Sequence, residues 1–228
     1  MPKSFRHLDT ITVVFVTLLL LSNIVAVKII SFGSLILPAA VILFPLTYIF
    51  GDVLTEVYGF ARARKVIWLG FGANIAMALI FTLVAKLPPA APWPFQTDFV
   101  HILGQTPRIV GASIIAYFLG EFLNSYVLAK IKIRMNGKQL WIRTIASTIV
   151  GEAIDTTLFI TLAFAGVMPA SIITSLIISS YLVKVGIEII FTPVTYAVVN
   201  LLKRRENEDY YDRDTNFNPF LVGHKTNV

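Results

Sequence analysis

Six long apolar stretches, separated by shorter polar segments, organise the 228-residue chain. Each approaches or exceeds the roughly 20 residues that an α-helix needs to cross the hydrocarbon core of a bilayer. We expect residues 1–205 to form one transmembrane domain and residues 206–228 to be a polar, poorly ordered cytoplasmic tail. The pattern predicts an all-α, polytopic membrane protein with six transmembrane helices, approximately at residues 10–27, 35–55, 65–86, 108–130, 143–165 and 171–202.

Composition supports a membrane protein, since 56% of the residues are hydrophobic, 14% are charged and the mean hydropathy is +0.77. The net charge of +6 does not indicate a nucleic-acid partner, because the cations lie beside apolar spans. Most of them fall on the side of the N-terminus, and only Lys28, Lys86 and Arg108 fall on the other side. The positive-inside rule therefore predicts that both termini are cytoplasmic.

Acidic and polar residues recur at membrane depth with the spacing of one helix face. An acid at the centre of a transmembrane helix costs about 2.5–3.5 kcal/mol on insertion scales, so such residues usually face a bundle interior. For Glu56 an equally good alternative is a position at the cytoplasmic boundary, near Arg62 and Arg64. The sequence predicts one central binding site lined by Asp52, Glu56, Glu121, Asn124, Glu152, Asp155, Tyr181, Lys184 and Glu188.

The charge balance of this site limits what it can bind. Six acids face one intramembrane base, Lys184, which we expect to pair with Glu188 one helical turn away. The remaining carboxylates need protons, water or donors from a ligand, which points to a donor-rich or cationic small molecule, to protons, or to both. The alternative is that the pair only fixes helix packing.

Glycine precedes three of the acids, at Gly51, Gly120 and Gly151, and close helix packing is favoured over internal repetition as the explanation.

Catalysis has little support in the sequence. All three histidines lie outside the spans, and the chain contains no zinc-protease pattern, no nucleophile elbow and no phosphate loop. An intramembrane aspartyl enzyme that uses Asp52 with Asp155 is a disfavoured alternative. Cysteine is absent, which excludes disulfides and thiolate metal sites. We therefore expect no enzyme, no catalytic residue, no bound metal and no cofactor.

Four segments, in this order, resemble the queuosine precursor transporter family, which is grouped with the vitamin uptake transporters. They are GDVLTEVYGFARARK from Gly51, GEFLNSYVLAKIK from Gly120, GEAIDTTLF from Gly151 and YLVKVGIEIIFTPVTYAVV from Tyr181. The resemblance covers nearly all of residues 10–202. The positions that match the family's motifs are Asp52, Glu56, Arg62, Glu121, Asn124, Glu152, Asp155, Lys184 and Glu188.

The resemblance implies a multi-pass protein of the inner (plasma) membrane. Its function would be to import 7-cyano- and 7-aminomethyl-7-deazaguanine, precursors of the tRNA nucleoside queuosine, through the central carboxylate-lined site. A guanine-like edge presents adjacent N–H donors that a carboxylate can accept, and its O6 suits a lysine donor. Tyr48, Tyr117 and Tyr181 are candidates for stacking on the ring. The nearest alternative is a substrate-binding subunit of an ATP-driven vitamin-type importer, so a homodimer and a separate energising module are open partners besides the bilayer.

Overall fold

The computed structural model describes residues 5–33, 35–104 and 106–221, so the two ends of the chain, residues 1–4 and 222–228, lie outside the described residues. Two short strands, β1 (Ile29–Phe32) and β2 (Leu35–Pro38), follow the first helix. The helices are α1 (Leu8–Val25), α2 (Phe44–Val53), α3 (Phe60–Ala85), α4 (Gln96–Leu103), α5 (Thr106–Arg134), α6 (Leu140–Phe164) and α7 (Ala170–Glu206).

Within the described residues, five helical segments are long and apolar enough to cross a membrane: α1, α3, α4 together with α5, α6 and α7. The predicted all-α, polytopic membrane class is therefore confirmed. The 37 residues of α7 give a length of about 55 Å at 1.5 Å per residue, well beyond the roughly 30 Å hydrocarbon core. The count of six spans and the cytoplasmic position of both termini stay predictions.

The predicted second span, residues 35–55, is not one helix. Strands β1 and β2 form an antiparallel hairpin in which Ile29 lies opposite Pro38, and Gly33 takes a φ of +59° at its turn. A 3-10 turn at Ala39–Ile42 then leads into α2. The sequence misled because a short apolar run fits a strand as well as a helix, and only its hydrogen-bonding partners decide between them. We call this segment, residues 29–42, the hairpin.

Helix α2 is short and continues into one π-helical turn, Leu54–Tyr58. The helical backbone stops at Gly59, whose φ of +87° lies in a region that other residues rarely adopt. A Cβ at Gly59 would also overlap the ring of Tyr210, so glycine is required here for two independent reasons. The segment from hairpin to π-helical turn is thus a discontinuous element, which membrane proteins tolerate where it is buried by neighbouring helices.

Helices α5 and α6 cross in close contact at two glycines. A Cβ at Gly120 would lie 3.0 Å from the carbonyl oxygen of Gly151, and a Cβ at Gly151 would lie 2.9 Å from that of Gly120. Small residues at such crossings let two backbones approach. Close packing therefore explains these two glycines, and the crossing brings the acids that follow them, Glu121 and Glu152, into the same part of the bundle.

The segment after α7 packs against the helices, contrary to the expectation of a poorly ordered tail. Both carboxylate oxygens of Asp212 accept from the backbone N–H of Phe60, at 3.1 Å. The indole N–H of Trp68 donates to the Pro219 carbonyl at 2.8 Å, and the Phe217 ring lies 5.0 Å from that of Phe60. Aromatic side chains in an otherwise polar sequence make this docking possible. We call residues 207–221 the C-terminal strap.

Candidate functional site

A lysine and two acids form the centre of the site, between α6 and α7. Lys184 donates to Glu152 Oε2 at 2.9 Å, to Asp155 Oδ2 at 3.0 Å and to Thr156 Oγ1 at 3.2 Å. The hydroxyl of Thr156 donates in turn to Glu152 Oε2 at 2.9 Å. All four side chains are buried. This arrangement holds one cation between two carboxylates, so the group carries a net negative charge when both acids are ionised.

The expected pairing of Lys184 with Glu188 is not the arrangement that forms. Lys184 reaches across to α6, whereas both carboxylate oxygens of Glu188 are buried without a hydrogen-bond partner among the described residues. The two residues are one turn apart on α7, but the two acids of α6 offer Lys184 a closer pair of acceptors. Sequence spacing alone could not distinguish a partner on the same helix from one on the neighbouring helix.

Three further predicted acids are buried in the bundle with no ion pair among the described residues. Asp52 and Glu121 are 0% exposed and Glu188 is 1% exposed. Asn124 donates to Asp52 Oδ1 at 2.9 Å, but Asp52 Oδ2 and both oxygens of Glu121 have no hydrogen-bond partner among the described residues. A Cβ at Gly51 would overlap Glu121 Oε1, so the carboxylate is packed directly against the backbone of α2. We call Asp52, Glu121 and Glu188 the unpaired acids.

A small cavity opens beside the lysine. It is lined by the hairpin, by α6 and by α7, and its wall includes Lys184 and Thr156. Its volume is about 20 Å³, which is room for about one water molecule. A bicyclic ligand would need this space to enlarge. The other lining residues are Pro38, Ala40, Val41, Phe159, Ile160 and Ser180.

Glu56, also predicted for the central site, belongs to a different cluster. Arg143 donates to its two carboxylate oxygens at 2.8 Å each, and Lys203 donates to Glu56 Oε1 at 2.6 Å. The ammonium of Lys132 lies 3.3 Å from the same oxygen and donates to the Glu56 backbone carbonyl at 2.6 Å. We call these four residues the basic network. Glu56 thus lies beside cations, but these are not Arg62 and Arg64, and its position at the cytoplasmic boundary stays a prediction.

The C-terminal strap completes the basic network. Asp209 accepts from Lys132 at 2.7 Å and lies 2.8 Å from the Lys203 ammonium. Partial burial acts to raise the pKa of Asp209, but the hydrogen bonds from the two lysines prevail and hold it below its usual range. For Asp212 burial is the larger influence and raises the pKa of its carboxyl. The basic network and the cavity lie toward opposite ends of α6 and α7.

Tyr181 lies at the margin of the predicted site. Its side chain is half-buried, and its hydroxyl donates to the backbone carbonyl of Ile149 at 3.4 Å. Tyr48 and Tyr117 are buried in the interior instead, with ring centroids 6.4 Å apart. Of the three tyrosines proposed for stacking, the structure thus places two among the acids. Whether any predicted residue binds a substrate stays a prediction.

Sequence reasoning missed the cations that surround Glu56. The sequence indicates only a role in membrane orientation for Lys132, Arg143 and Lys203, yet all three reach one buried carboxylate. A basic residue near a span end can mark either role, so no sequence signal separates them. The hairpin residues that wall the cavity were missed for another reason, since they carry no polar group that would single them out.

Comparison with known proteins identifies the family. Residues 38–198 match the family described as "Putative vitamin uptake transporter". The chain is 31% identical over 186 residues to a "Probable queuosine precursor transporter" of Bacillus subtilis (strain 168), covering 81% of each chain. The chain belongs to the queuosine precursor transporter family. It is also 28% identical over 166 residues to the "Queuosine precursor transporter" of Escherichia coli (strain K12), covering 71% of this chain and 72% of the relative.

Family membership confirms the sequence-based resemblance and the general class of activity. The family and both relatives are transporters by name, so the chain is a multi-pass membrane transporter and not an enzyme. No solved structure matches the chain significantly. The site must therefore be argued from this chain's own geometry.

Proposed function

We propose that this protein imports 7-deazaguanine precursors of queuosine across the inner (plasma) membrane, and that the substrate binds between the hairpin, α6 and α7. The names of both relatives support the substrate class. The observation that carries the location is the Lys184 ammonium, which is held by Glu152 and Asp155 at the wall of the cavity. The lysine and the two carboxylates together supply a donor and acceptors within one small volume.

The chemistry of the ring fits this group. Lys184 contacts one oxygen of each acid, Glu152 Oε2 and Asp155 Oδ2, and the second oxygen of each carboxylate can accept from a ligand. The ring N–H and exocyclic amino group of a 7-deazaguanine are adjacent donors, which suit a carboxylate in parallel. Its O6 is an acceptor for the lysine. The substituent at position 7 then points away from this edge, so the same contacts serve a cyano or an aminomethyl group.

Substrate entry requires the hairpin to move. The cavity has room for about one water molecule, and Pro38, Ala40 and Val41 form its wall on the hairpin side. This segment is held by short-range backbone pairing, with Ile29 opposite Pro38, and not by a long helix. The described conformation is thus a closed one, and displacement of the hairpin from α6 and α7 opens the site.

The test is uptake of a labelled precursor by a strain that cannot make it, with and without this gene. We expect uptake that depends on the gene, and loss of most of it in Glu152→Gln and in Asp155→Asn, because each change keeps the shape but removes a charged acceptor. The matched control is Asp98→Asn, which alters an exposed acid in α4. Uptake is normalised to membrane-inserted protein. Wild-type uptake by both variants would remove α6 from the site.

Reconstitution of the chain alone into proteoliposomes separates this function from that of a substrate-binding subunit. We expect uptake without added ATP or any second protein. Binding without flux would indicate a subunit that needs an energising module.

The direction of import rests on the predicted orientation, which single cysteines can test because the chain has none. A cysteine in place of Asp98 should react with an impermeant thiol reagent in intact cells. A cysteine in place of Asn136, in the turn between α5 and α6, should not react. The reverse labelling would invert the topology.

A further inference from the structure

The unpaired acids are the feature of the bundle that substrate recognition does not explain. None of the three lines the cavity. Asp52 has one hydrogen bond, from Asn124 to Oδ1 at 2.9 Å, which leaves Oδ2 without a partner among the described residues. Both oxygens of Glu188 and both oxygens of Glu121 also lack a hydrogen-bond partner among the described residues. Five buried carboxylate oxygens on three different helices thus lack a donor.

Their surroundings favour the uncharged form. The titratable groups that face the unpaired acids from the neighbouring elements are Tyr48, Glu56, Tyr117, Glu152, Asp155 and Lys184. Lys184 is the cation of this set, and it is hydrogen-bonded to Glu152 and Asp155. Glu56 is matched by its own cations. An ionised carboxylate that is buried without a partner costs several kcal/mol, so acids in such positions hold a proton instead.

Two of the unpaired acids lie on the path from the cavity to the basic network. Glu188 is one turn beyond Lys184 on α7, about 6 Å farther along the helix toward the basic network. Asp52 precedes Glu56 by one turn in the segment formed by α2 and the π-helical turn. A proton released by these acids toward that end would leave on the side opposite the cavity.

We infer that Asp52, Asn124 and Glu188 form a proton-binding site that couples substrate import to inward proton movement. This inference rests on the proposed function. Asn124 fixes the orientation of the Asp52 carboxyl by binding Oδ1, and the proton is carried on Oδ2 or on Glu188. When the site is open toward the cavity side, the acids take up a proton; when it opens toward the basic network, water reaches them and the proton leaves. The ligand of this second site is the proton itself, and each import cycle carries at least one.

The test uses the full chain in proteoliposomes with labelled 7-cyano-7-deazaguanine, which is uncharged, and a pH gradient that is acidic outside. We expect the gradient to drive accumulation of up to about tenfold per pH unit and per proton, and a protonophore to abolish it. A pH-sensitive dye in the lumen should report acidification during uptake. Asp52→Asn and Glu188→Gln should each bring the ratio of uptake with and without the gradient to about one. Asp98→Asn is the control and should keep the wild-type ratio.

Two results would overturn the proton site while leaving the proposed function intact. One is wild-type uptake that does not respond to the pH gradient. The other is accumulation driven by a sodium gradient at equal pH, which would assign the unpaired acids to a metal cation.

Infrared spectroscopy of the purified protein tests the protonation of the two acids independently of transport. At neutral pH we expect a band of protonated carboxyl groups that loses intensity in Asp52→Asn and in Glu188→Gln, but not in Asp98→Asn. Unchanged bands in both variants would overturn the proton site whatever the uptake result. If the wild-type protein shows these bands but transports no precursor, the proposed substrate and its coupling to protons fail, and only the protonation of the two acids stands.

Discussion

Glu56 and Glu121 are both 0% exposed, yet their surroundings differ completely. Glu56 has Arg143 on both oxygens and the ammonium groups of Lys132 and Lys203 within 3.3 Å. Neither carboxylate oxygen of Glu121 has a partner at hydrogen-bond geometry among the described residues, although the hydroxyls of Tyr117 and Ser125 lie nearby. Glu121 also has no ion pair there, and its carboxylate abuts α2 at Gly51. The basic network follows the ordinary rule for buried charge, whereas the unpaired acids violate it.

We expect this difference to separate carboxylates that stabilise the fold from carboxylates that take part in transport. A paired, hydrogen-bonded carboxylate stabilises the end of a bundle, and its removal leaves cations without a partner. An unpaired acid contributes nothing comparable to stability, so its presence at a buried position needs another explanation. Departures from the rules of burial are expected at functional sites. Burial alone would have ranked the two acids equally, and only their partners separate them.

The largest effect on stability is expected for Glu56→Gln. Glutamine keeps the shape of the side chain but leaves Arg143 without its carboxylate partner, which costs about 3–5 kcal/mol for a buried pair. Thermal unfolding of the purified protein in detergent should therefore begin at a much lower temperature than for the wild type.

Glu121→Gln is the matched control for this change, because it is an isosteric substitution at an equally buried acid. No hydrogen bond is lost there, so we expect the melting temperature to stay the same or to rise. Equal losses of stability in the two variants would contradict the distinction between paired and unpaired acids.

An intermediate effect is expected where Glu121 touches α2. Alanine at Gly51 would place a Cβ on Glu121 Oε1, and overpacking of this kind typically costs about 1–3 kcal/mol. Gly72→Ala is the control, since its Cβ would meet nothing within 4 Å and alanine is the better helix former. We expect Gly51→Ala to lower both the melting temperature and precursor uptake.

Shortening the neighbouring acid sharpens this test. Glu121→Asp withdraws the carboxylate by one methylene, so in combination with Gly51→Ala it should recover part of the lost stability. If Gly51→Ala behaves like Gly72→Ala, the Glu121 carboxylate is not held against α2.

Much of the bundle could be predicted from hydrophobic pattern. The predicted spans at 65–86 and 143–165 agree closely with α3 (Phe60–Ala85) and α6 (Leu140–Phe164), because a long apolar run at helical spacing has one stable solution in a membrane. The hairpin could not be predicted, since an apolar run of this length fits a strand or a helix. Its pairing depends on a turn that propensity alone does not specify.

The burial of most residues predicted for the site could be read from the sequence, but their contacts could not. Spacing placed Glu152 and Asp155 on one face of α6, and the structure joins both to Lys184. Spacing also placed Glu56 beside Asp52, but a π-helical turn begins at Leu54 and changes the angular step between the two positions. Their carboxylates consequently meet different partners, Arg143 for Glu56 and Asn124 for Asp52.

The smallest effect is expected at Asp209, the acid by which the C-terminal strap joins the basic network. Its side chain is 44% exposed although it lies 2.7 Å from Lys132 and 2.8 Å from Lys203. Water screens these pairs, so Asp209→Asn should lower the free energy of unfolding by only about 0.2–1 kcal/mol at neutral pH. Comparison with Glu56→Gln then measures how strongly burial amplifies the loss of one carboxylate within a single network.

The pH dependence of this small effect identifies its origin. The two lysines hold the pKa of folded Asp209 below its usual range, against the opposing influence of burial. A group with a depressed pKa stabilises the fold fully above its unfolded pKa, and this contribution is lost as pH falls through the folded pKa. The difference in melting temperature between wild type and Asp209→Asn should therefore be constant near neutrality and vanish in acid. A difference that persists in acid would show that the aspartate acts through its shape or its hydrogen bonds and not through its charge.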